Sequence, residues 1–378
     1  MLVMVAVAVI FPASAQTWEQ TTAPAFNFPC IASSADGTRL LTSGFRLSIP
    51  IYLSTNRGDT WAVTTAPVGT WSAIASTPDG TKAVAAQYGG LIYTSADGGA
   101  TWAPNSVPTS VWTSVAISAD GARLLAANVS PKIIYISTDG GTVWTQASNA
   151  PLAFWQGVAS SADGAKLVAV NSGPGTVYSS TNGGIDWRRS TNAPIANWTS
   201  VAASADGTRL LAVASTGQVS TSVDSGITWV QNSVPASDWE ACAGSADGSK
   251  LVIVSRGGLI FTSADSGSVW QSNAAPALYW NGVASAADGS RLFAAAAGSG
   301  VWRLETTPAP ELQVAASASS VDLAWVLPSV KVLLQQSSDC SPGGWQDMTN
   351  VPTLNLSNLH YEISLPVSDN GFYRLRGQ

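Results

Sequence analysis

Short apolar, β-favouring stretches alternate with turn residues along most of the chain. In one unit, "WTSVAIS" (112–118) and "ARLLAANV" (122–129) flank an Asp-Gly turn, and "IIYIS" (133–137) follows them. Two such runs around Asp-Gly are typical of an antiparallel hairpin, which the third run extends. A further short stretch begins at the next tryptophan, Trp144. The pattern therefore predicts a unit of four antiparallel strands.

This unit recurs along the chain. Its Asp-Gly turns lie at Asp36, Asp79, Asp120, Asp163, Asp206, Asp247 and Asp288, with successive spacings of 43, 41, 43, 43, 41 and 41 residues. Four strands on such a period are expected of propeller blades. The seventh unit stops after its third strand, "GVWRLE" (300–305), whereas "TWEQTTAPAF" (17–26) matches "TWAVTTAPVG" (60–69). We therefore expect an all-β fold with a seven-bladed β-propeller over residues 16–306, closed by the N-terminal strand.

A second motif marks the turn between the third and fourth strands. Its copies include "SADGGATW" (95–102) and "STNRGDTW" (54–61). This phrase resembles the Asp-box, or BNR, repeat of bacterial sialidases, sortilin-type receptors, xyloglucan-cleaving enzymes and the photosystem II assembly propeller. The resemblance implies a propeller in which the motif lies on the face opposite the ligand site.

The residues themselves favour a structural role for this turn. Asn56 and Asn182 replace the aspartate in two copies. Asp and Asn share a side-chain oxygen that accepts backbone N–H bonds, but they do not share a charge. We therefore interpret the motif as a turn that its own side chains hold together, rather than a calcium or catalytic site. No metal and no cofactor are expected.

The two ends of the chain differ from the repeat. Residues 1–15, "MLVMVAVAVIFPASA", have the apolar run and small-x-small ending of a secretory signal peptide, which predicts a secreted, periplasmic or cell-surface protein. Residues 309–378 contain β-like stretches such as "SVDLAWVL" (320–327) and "GFYRLRG" (371–377). This segment resembles the small β-sandwich, similar to fibronectin type III, that ends many secreted bacterial proteins.

Composition excludes several functions. The net charge is −6 and Lys and Arg do not cluster, which disfavours binding to nucleic acid. No apolar run reaches the ~20 residues of a membrane span. The one histidine, His360, lies outside the propeller, so a Ser–His–Asp arrangement cannot form within it. We expect a monomer in which Cys30, Cys242 and Cys340 are small buried side chains rather than a disulfide framework.

Basic residues also recur at one position of the repeat, directly before the second strand. Because Arg and Lys interchange there, we interpret the position as a solvated face rather than an anion site. Its members are Arg39, Lys82, Arg123, Lys166, Arg209, Lys250 and Arg291.

Aromatic residues recur at the start of the first strand. Two interpretations are open: packing between blades, or an aromatic collar around the mouth of the central channel that would stack on sugar rings. The tryptophans are Trp71, Trp112, Trp155, Trp198, Trp239 and Trp280, and Phe28 stands at the seventh position.

Blade six departs from its siblings at this position. Asp238 and Glu240 flank Trp239, and Arg256 lies in the loop between the second and third strands of the same blade. Residues i and i+2 of a strand share a face, so the two carboxylates are expected within ~7 Å of each other on one rim. The group is either a solvated rim with a weak ion pair or a ligand site, in which Asp238 and Glu240 are the candidate acid and base.

Three functions follow from these patterns. We favour a non-catalytic binding or scaffold propeller that contacts a glycan or a protein through the face with the loops between blades. A glycoside hydrolase using the two rim carboxylates is the alternative. The "FRLSIP" stretch (45–50) is a poor match to the Phe-Arg-Ile-Pro signature of sialidases. A third possibility is an assembly factor like the photosystem II propeller.

Overall fold

The computed structural model describes residues 17–44, 49–173, 175–305, 312–316, 320–326, 332–337, 344–355, 359–366 and 372–377. All regular secondary structure in these ranges is β-strand. None of the described residues belongs to a helix of a length and hydropathy that would cross a membrane. Seven units of four antiparallel strands form a β-propeller, and two further sheets follow it. The all-β propeller predicted from the sequence is confirmed.

Each blade uses four strands, and β1 (Glu19–Gln20) belongs to blade seven. Blade one contains β2 (Cys30–Ser33), β3 (Leu40–Ser43), β4 (Ile51–Ser54) and β5 (Ala62–Val63). Blade two contains β6 (Trp71–Ser76), β7 (Ala83–Gly90), β8 (Ile92–Ser95) and β9 (Ala103–Pro104). Blade three contains β10 (Ser110–Ile117), β11 (Leu124–Ser130), β12 (Ile134–Ser137) and β13 (Thr145–Gln146). Blade four contains β14 (Trp155–Ser160), β15 (Leu167–Asn171), β16 (Val177–Ser180) and β17 (Arg188–Arg189).

Blade five contains β18 (Trp198–Ala203), β19 (Leu210–Ala214), β20 (Val219–Ser222) and β21 (Val230–Gln231). Blade six contains β22 (Trp239–Gly244), β23 (Leu251–Ser255), β24 (Ile260–Ser263) and β25 (Gln271–Ser272). Blade seven contains β26 (Trp280–Ser285), β27 (Arg291–Ala296), β28 (Gly300–Glu305) and β1.

The strands of a blade differ in burial. The second strand is the most apolar: every residue of β15 ("LVAVN") and β19 ("LLAVA") is buried. Aliphatic side chains on both faces of such a strand contact the two neighbouring blades, so its sequence does not alternate. The fourth strand has two exposed residues, as in β13 and β21. Such short outer strands offer little unpaired edge to another chain.

The N-terminal strand completes blade seven, as the repeat predicts. Strand β1 pairs antiparallel with β28, and Glu19 lies opposite Arg303. The Arg303 guanidinium forms ion pairs with Glu19 at 3.5 Å and with Asp59 of blade one at 2.5 Å. Trp18, directly before β1, is buried and packs against Trp280 with 6.1 Å between ring centroids. Closure therefore joins the two ends of the propeller by backbone pairing, charge and apolar contact.

The turns between first and second strands meet around the propeller axis. In six of the seven blades the residue before the turn aspartate donates its backbone N–H to the equivalent carbonyl of the next blade, at 2.7 to 2.8 Å. Six of these seven residues are alanines, named here the alanine ring: Ala35, Ala119, Ala162, Ala205, Ala246 and Ala287. Pro78 holds the seventh position. It accepts a bond from Ala35 but has no N–H to donate, so this chain of bonds is open between blades two and three.

A small sandwich of two sheets follows the propeller. One sheet has the order β29 (Gln313–Ala316), β30 (Ser320–Val326), β34 (His360–Pro366), β33 (Thr353–Asn355), and the other has the order β32 (Gln346–Asp347), β31 (Val332–Ser337), β35 (Phe372–Gly377). Side chains from both sheets form one core, including Leu323, Trp325, Leu334 and Tyr373. This is the β-sandwich that the sequence predicts, here called the C-terminal module.

Two of the cysteines can be placed. Cys30 and Cys242 are free thiols in the first strands of blades one and six. Burial raises the pKa of each to about 12, so neither is a reactive thiolate near neutral pH. Cys340 and the predicted signal peptide lie outside the described residues.

Candidate functional site

The six tryptophans of the repeat are fully buried. Trp71, Trp112, Trp155, Trp198, Trp239 and Trp280 are each 0% exposed. Their rings fill the interfaces between blades: Trp198 of blade five packs against Val168 and Val170 of blade four. An enclosed ring cannot stack on a ligand. Of the two interpretations, the aromatic collar is therefore wrong, and these tryptophans pack between blades. The same residue recurs in six blades because the same cavity recurs between them.

In blades four to seven, the residue directly before the buried tryptophan is exposed to solvent. In blades four to seven its backbone carbonyl accepts a hydrogen bond from the loop between the second and third strands of its own blade. The bonds are Ser172 N to Phe154 O at 3.0 Å, Ser215 N to Asn197 O at 3.0 Å, Arg256 N to Asp238 O at 3.1 Å and Ala297 N to Tyr279 O at 2.9 Å. The four positions are therefore structurally equivalent and lie on the face with the loops between blades.

These four residues are named here the mouth arc, and all of them are exposed. Tyr279 has 68% of its surface exposed and Phe154 has 48%. Asn197 and Asp238 stand between them along the ring of blades. The mouth arc thus presents two aromatic side chains with an amide and a carboxylate between them. The buried residue that follows each of these four positions is always tryptophan.

The arc is confined to one side of the propeller. In blades two and three the equivalent residues, Thr70 and Val111, are only partly exposed. There β7 extends to pair with the start of β10, with Val111 opposite Tyr88 and Ser110 opposite Gly90. The backbone is therefore paired on that side, and Thr70 and Val111 are less exposed than the four residues of the mouth arc.

Apolar side chains on the linkers extend the arc outward. Leu152 is 70% exposed and Ile195 is 64% exposed, in the linkers that lead into blades four and five. The Lys132 ammonium lies 3.9 Å above the centroid of the Phe154 ring, a cation–π contact that orients the ring. Such a cluster, rimmed by polar groups, is typical of a protein-binding or ligand-binding surface.

Blade six brings Glu240 and Arg256 into contact, and Asp238 lies close enough for its charge to act on Glu240. The Arg256 guanidinium donates to the Glu240 carboxylate at 2.7 Å, and their side chains are 54% and 21% exposed. Glu240 follows Trp239 at an irregularity in the pairing of β22 with β23, which separates its side chain from the regular pleat. Burial raises the pKa of Glu240, the charge of Arg256 opposes that effect, and the nearby charge of Asp238 adds to it.

The two carboxylates of this group differ in their partners. The Glu240 carboxylate is already held by Arg256, whereas Asp238 forms no ion pair within the described residues. No cluster of three or more His, Cys, Asp or Glu side chains that could bind a metal occurs among the described residues. The exposed Asp238 carboxylate is thus available to pair with a polar or cationic group.

The turns between third and fourth strands lie at the other end of the blades. In blade two, Asp97 accepts bonds from Thr101 N at 2.9 Å and from Ser95 Oγ at 2.8 Å, and Gly99 adopts φ +92°. The Trp102 indole N–H donates to Gly99 O at 2.9 Å and covers the turn. All of the acceptor bonds of Asp97 stay within the turn, so its carboxylate acts as a local tie.

The basic residues of the repeat have a structural role that their sequence does not indicate. Lys82 Nζ donates to Asp120 O at 2.7 Å, and Lys250 Nζ donates to Asp288 O at 2.7 Å, each in the next blade. Arg291, only 4% exposed, contacts a carbonyl of blade one in the same way. The position therefore links neighbouring blades at these residues, while Lys82, Arg123 and Arg209 remain exposed as a solvated face would be.

Sequence reasoning missed Phe154, Asn197 and Tyr279. The signal was present one residue before each tryptophan, where the six blades with a tryptophan have six different side chains. In a repeat protein, constant positions serve the fold and variable positions on one face are free to serve binding. Residues 45–48 of the "FRLSIP" stretch lie outside the described residues.

Comparison with known proteins identifies the fold. No protein-family model and no curated protein matches the chain. Among solved structures it is similar to YCF48 from Cyanidioschyzon merolae, with 16% identity and a TM-score of 0.60 over 77% of this chain and 98% of that one. A second structure, YCF48 bound to D1 peptide, has 14% identity and a TM-score of 0.60 over 81% and 100%. The RRP9 WD40 repeats have 10% identity and a TM-score of 0.63 over 78% and 100%. At these identities the likeness establishes the β-propeller fold.

Proposed function

We propose that this chain is an exported, monomeric, non-catalytic scaffold propeller that binds a segment of another protein at the mouth arc. The observation that carries the proposal is the exposure of Phe154 and Tyr279 on equivalent positions of a rigid ring. Aromatic anchors with polar neighbours are enriched where proteins bind one another. Export is proposed from the pattern of residues 1–15 alone.

The similar structures supply a precedent for the class of ligand. One of them is described as YCF48 bound to D1 peptide, so a propeller of this architecture takes a peptide. We infer that the serine-to-tryptophan turns are Asp-box repeats, and that binding uses the opposite face. The exposed carboxylate of Asp238 favours a segment that carries a basic side chain beside an apolar one.

A glycan is the second candidate. An exposed aromatic face next to an amide and a carboxylate, as with Tyr279 and Asp238, can also hold a sugar ring. Contacts to sugars and peptides would involve the same side chains. Peptide binding and glycan binding are therefore distinguished by which kind of library yields a ligand, and not by substitutions in the mouth arc.

The test uses the mature protein against a random dodecapeptide phage library and a glycan array. Enriched peptides should bind the Phe154→Ala/Tyr279→Ala variant at least tenfold more weakly, because truncating a buried aromatic anchor costs ~2 kcal/mol or more. The control is Val143→Ala/Ile185→Ala, which removes side chains of similar exposure from the turns at the opposite end of the blades. Equal loss in both variants, or an unchanged affinity in the first, would reject the arc as the site. Enrichment of glycans alone would assign the site to sugars.

A further inference from the structure

The alanine ring has an apolar centre that is filled. Ala35, Ala119, Ala205, Ala246 and Ala287 are all buried and belong to one apolar cluster. They come from blades one, three, five, six and seven, so they surround the axis on several sides. One further side chain belongs to this apolar cluster, and it comes from outside the propeller.

That side chain is Leu359 of the C-terminal module. Leu359 is 8% exposed and belongs to the same cluster as the five alanines. It is not a member of the module's own core, which is built around Leu323, Trp325 and Leu334. The burial of Leu359 therefore comes from the propeller rather than from its own domain.

The backbone at Leu359 is unusual for this residue type. It has φ +56°, in the left-handed region where a branched side chain is disfavoured and Gly or Asn is expected. Its N–H donates to Asn355 O at 2.8 Å, which closes the tip of the hairpin formed by β33 and β34. The turn alone would favour another residue. A leucine held in this disfavoured conformation indicates that the contact made by its side chain compensates for the backbone strain.

We propose that the alanine ring is a socket for one branched aliphatic side chain, and that Leu359 occupies it. The contact docks the C-terminal module on the propeller axis and closes the central channel at the end of the Asp-Gly turns. The mouth arc lies at the other end of the propeller axis, so among the described residues the C-terminal module and the mouth arc are on opposite faces. A ligand would then approach the axis from the side of the mouth arc.

Alanine explains the size of the socket. Seven turns converge there, and six backbone N–H to carbonyl bonds of 2.7 to 2.8 Å join them, so larger side chains would compete for the same centre. Six methyl groups leave room for one larger aliphatic group. This accounts for a residue that the repeat keeps constant at a position where an exposed turn would accept many residue types.

The first experiment measures access to the socket in the full chain. A cysteine is placed at Ala162, which is less buried than the other five ring alanines, in a Cys340→Ser background. Labelling by a maleimide should be at least tenfold faster in the Leu359→Asn protein, because Asn tolerates the left-handed backbone but leaves the socket open. Leu359→Met, which still fills the socket, should label within twofold of the parent. Val351→Asn, an 87% exposed position on the other side of β33, should have no effect.

The second experiment does not depend on the stability of the Leu359→Asn protein. Cysteines at Ala162 and Leu359 should be bridged within one chain by dibromobimane, whereas cysteines at Ala162 and Val351 should not. Mass spectrometry of the tryptic peptides identifies the bridge. Equal maleimide rates in the parent and Leu359→Asn proteins would overturn the proposal. Bridging from Val351 as efficient as from Leu359 would also overturn it.

Discussion

Asp97 and Asn56 occupy the same position in neighbouring blades and accept the same backbone hydrogen bond. Thr101 N donates to Asp97 Oδ1 at 2.9 Å, and Thr60 N donates to Asn56 Oδ1 at 2.9 Å. A carboxylate and an amide thus hold equivalent turns with equal geometry. What the turn requires is the acceptor oxygen and not the charge.

Asp97→Asn should therefore change the free energy of unfolding by less than ~1 kcal/mol. Asp97→Ala should lower it by ~1–2 kcal/mol, because the turn loses the oxygen that accepts its hydrogen bonds. Denaturant unfolding at neutral pH measures both. Asn56→Asp is the reciprocal control and should be equally mild. A loss above ~2 kcal/mol in Asp97→Asn, or a calcium-dependent melting temperature, would indicate a role for the charge.

The same turns predict how stability depends on pH. The side-chain and backbone hydrogen bonds from Thr101 lower the pKa of Asp97 to about 2, and bonds from Ser118 and Ala122 lower that of Asp120. A carboxyl group with a lowered folded-state pKa stabilises the protein above its unfolded-state pKa of ~4, and this contribution is lost as the pH falls through the folded-state value. The urea midpoint should be steady from pH 7 to about 5 and should fall from about pH 4 toward 2.

The Asp97→Asn variant supplies the control for this pH dependence. Its turn keeps the acceptor oxygen but no longer titrates, so its midpoint should fall less steeply between pH 4 and 2. The difference between the two proteins should be constant from pH 7 to about 5 and should change between pH 4 and 2. An identical acid limb in the two proteins would contradict the assignment of the lowered pKa to this carboxyl group.

Glu240 distinguishes a binding protein from a glycoside hydrolase. Its carboxylate is 2.7 Å from the Arg256 guanidinium, so we expect no turnover of chromogenic glycosides by the parent protein. Glu240→Gln should alter stability by no more than ~1 kcal/mol, since the pair is partly solvated. Asp238→Asn serves as the control, because it removes the neighbouring charge without breaking the pair. Turnover by the parent that is lost in Glu240→Gln would favour the hydrolase.

The architecture could be predicted from sequence because the repeat carries it. Seven Asp-Gly turns on a regular period define the blades, and the missing last strand points to the N-terminus. The repeated tryptophans were harder to interpret, since an aromatic residue at the end of a strand suits a mouth as well as an interface. Side-chain burial settles this: Trp239 is fully enclosed, so its removal would open a core cavity rather than test binding.

The contact of Leu359 with the alanine ring could not be predicted. The C-terminal module has no repeat to align with the propeller, and a single leucine in a hairpin carries no pattern. The alanine before six of the seven turn aspartates was visible in the sequence, but a small residue beside a turn has many explanations. Only the assembled ring shows that these alanines surround one side chain.

Closure of the ring gives the prediction with the largest expected effect. Trp18 is 7% exposed and packs against Trp280 and Leu304 of blade seven and Val254 of blade six. Trp18→Ala should lower the free energy of unfolding by about 3–5 kcal/mol, the usual cost of removing a large aromatic side chain from a core. Because that contact holds β1 against β28, the variant should also expose an unpaired strand edge and aggregate on heating.

The matched control is Glu19→Ala in the same strand. Glu19 is exposed and contributes one partly solvated ion pair to Arg303, so its loss should cost less than ~1 kcal/mol. Light scattering during a thermal ramp, together with denaturant unfolding, separates the two variants. If Trp18→Ala unfolds and scatters like Glu19→Ala, the N-terminal strand is not what closes the propeller.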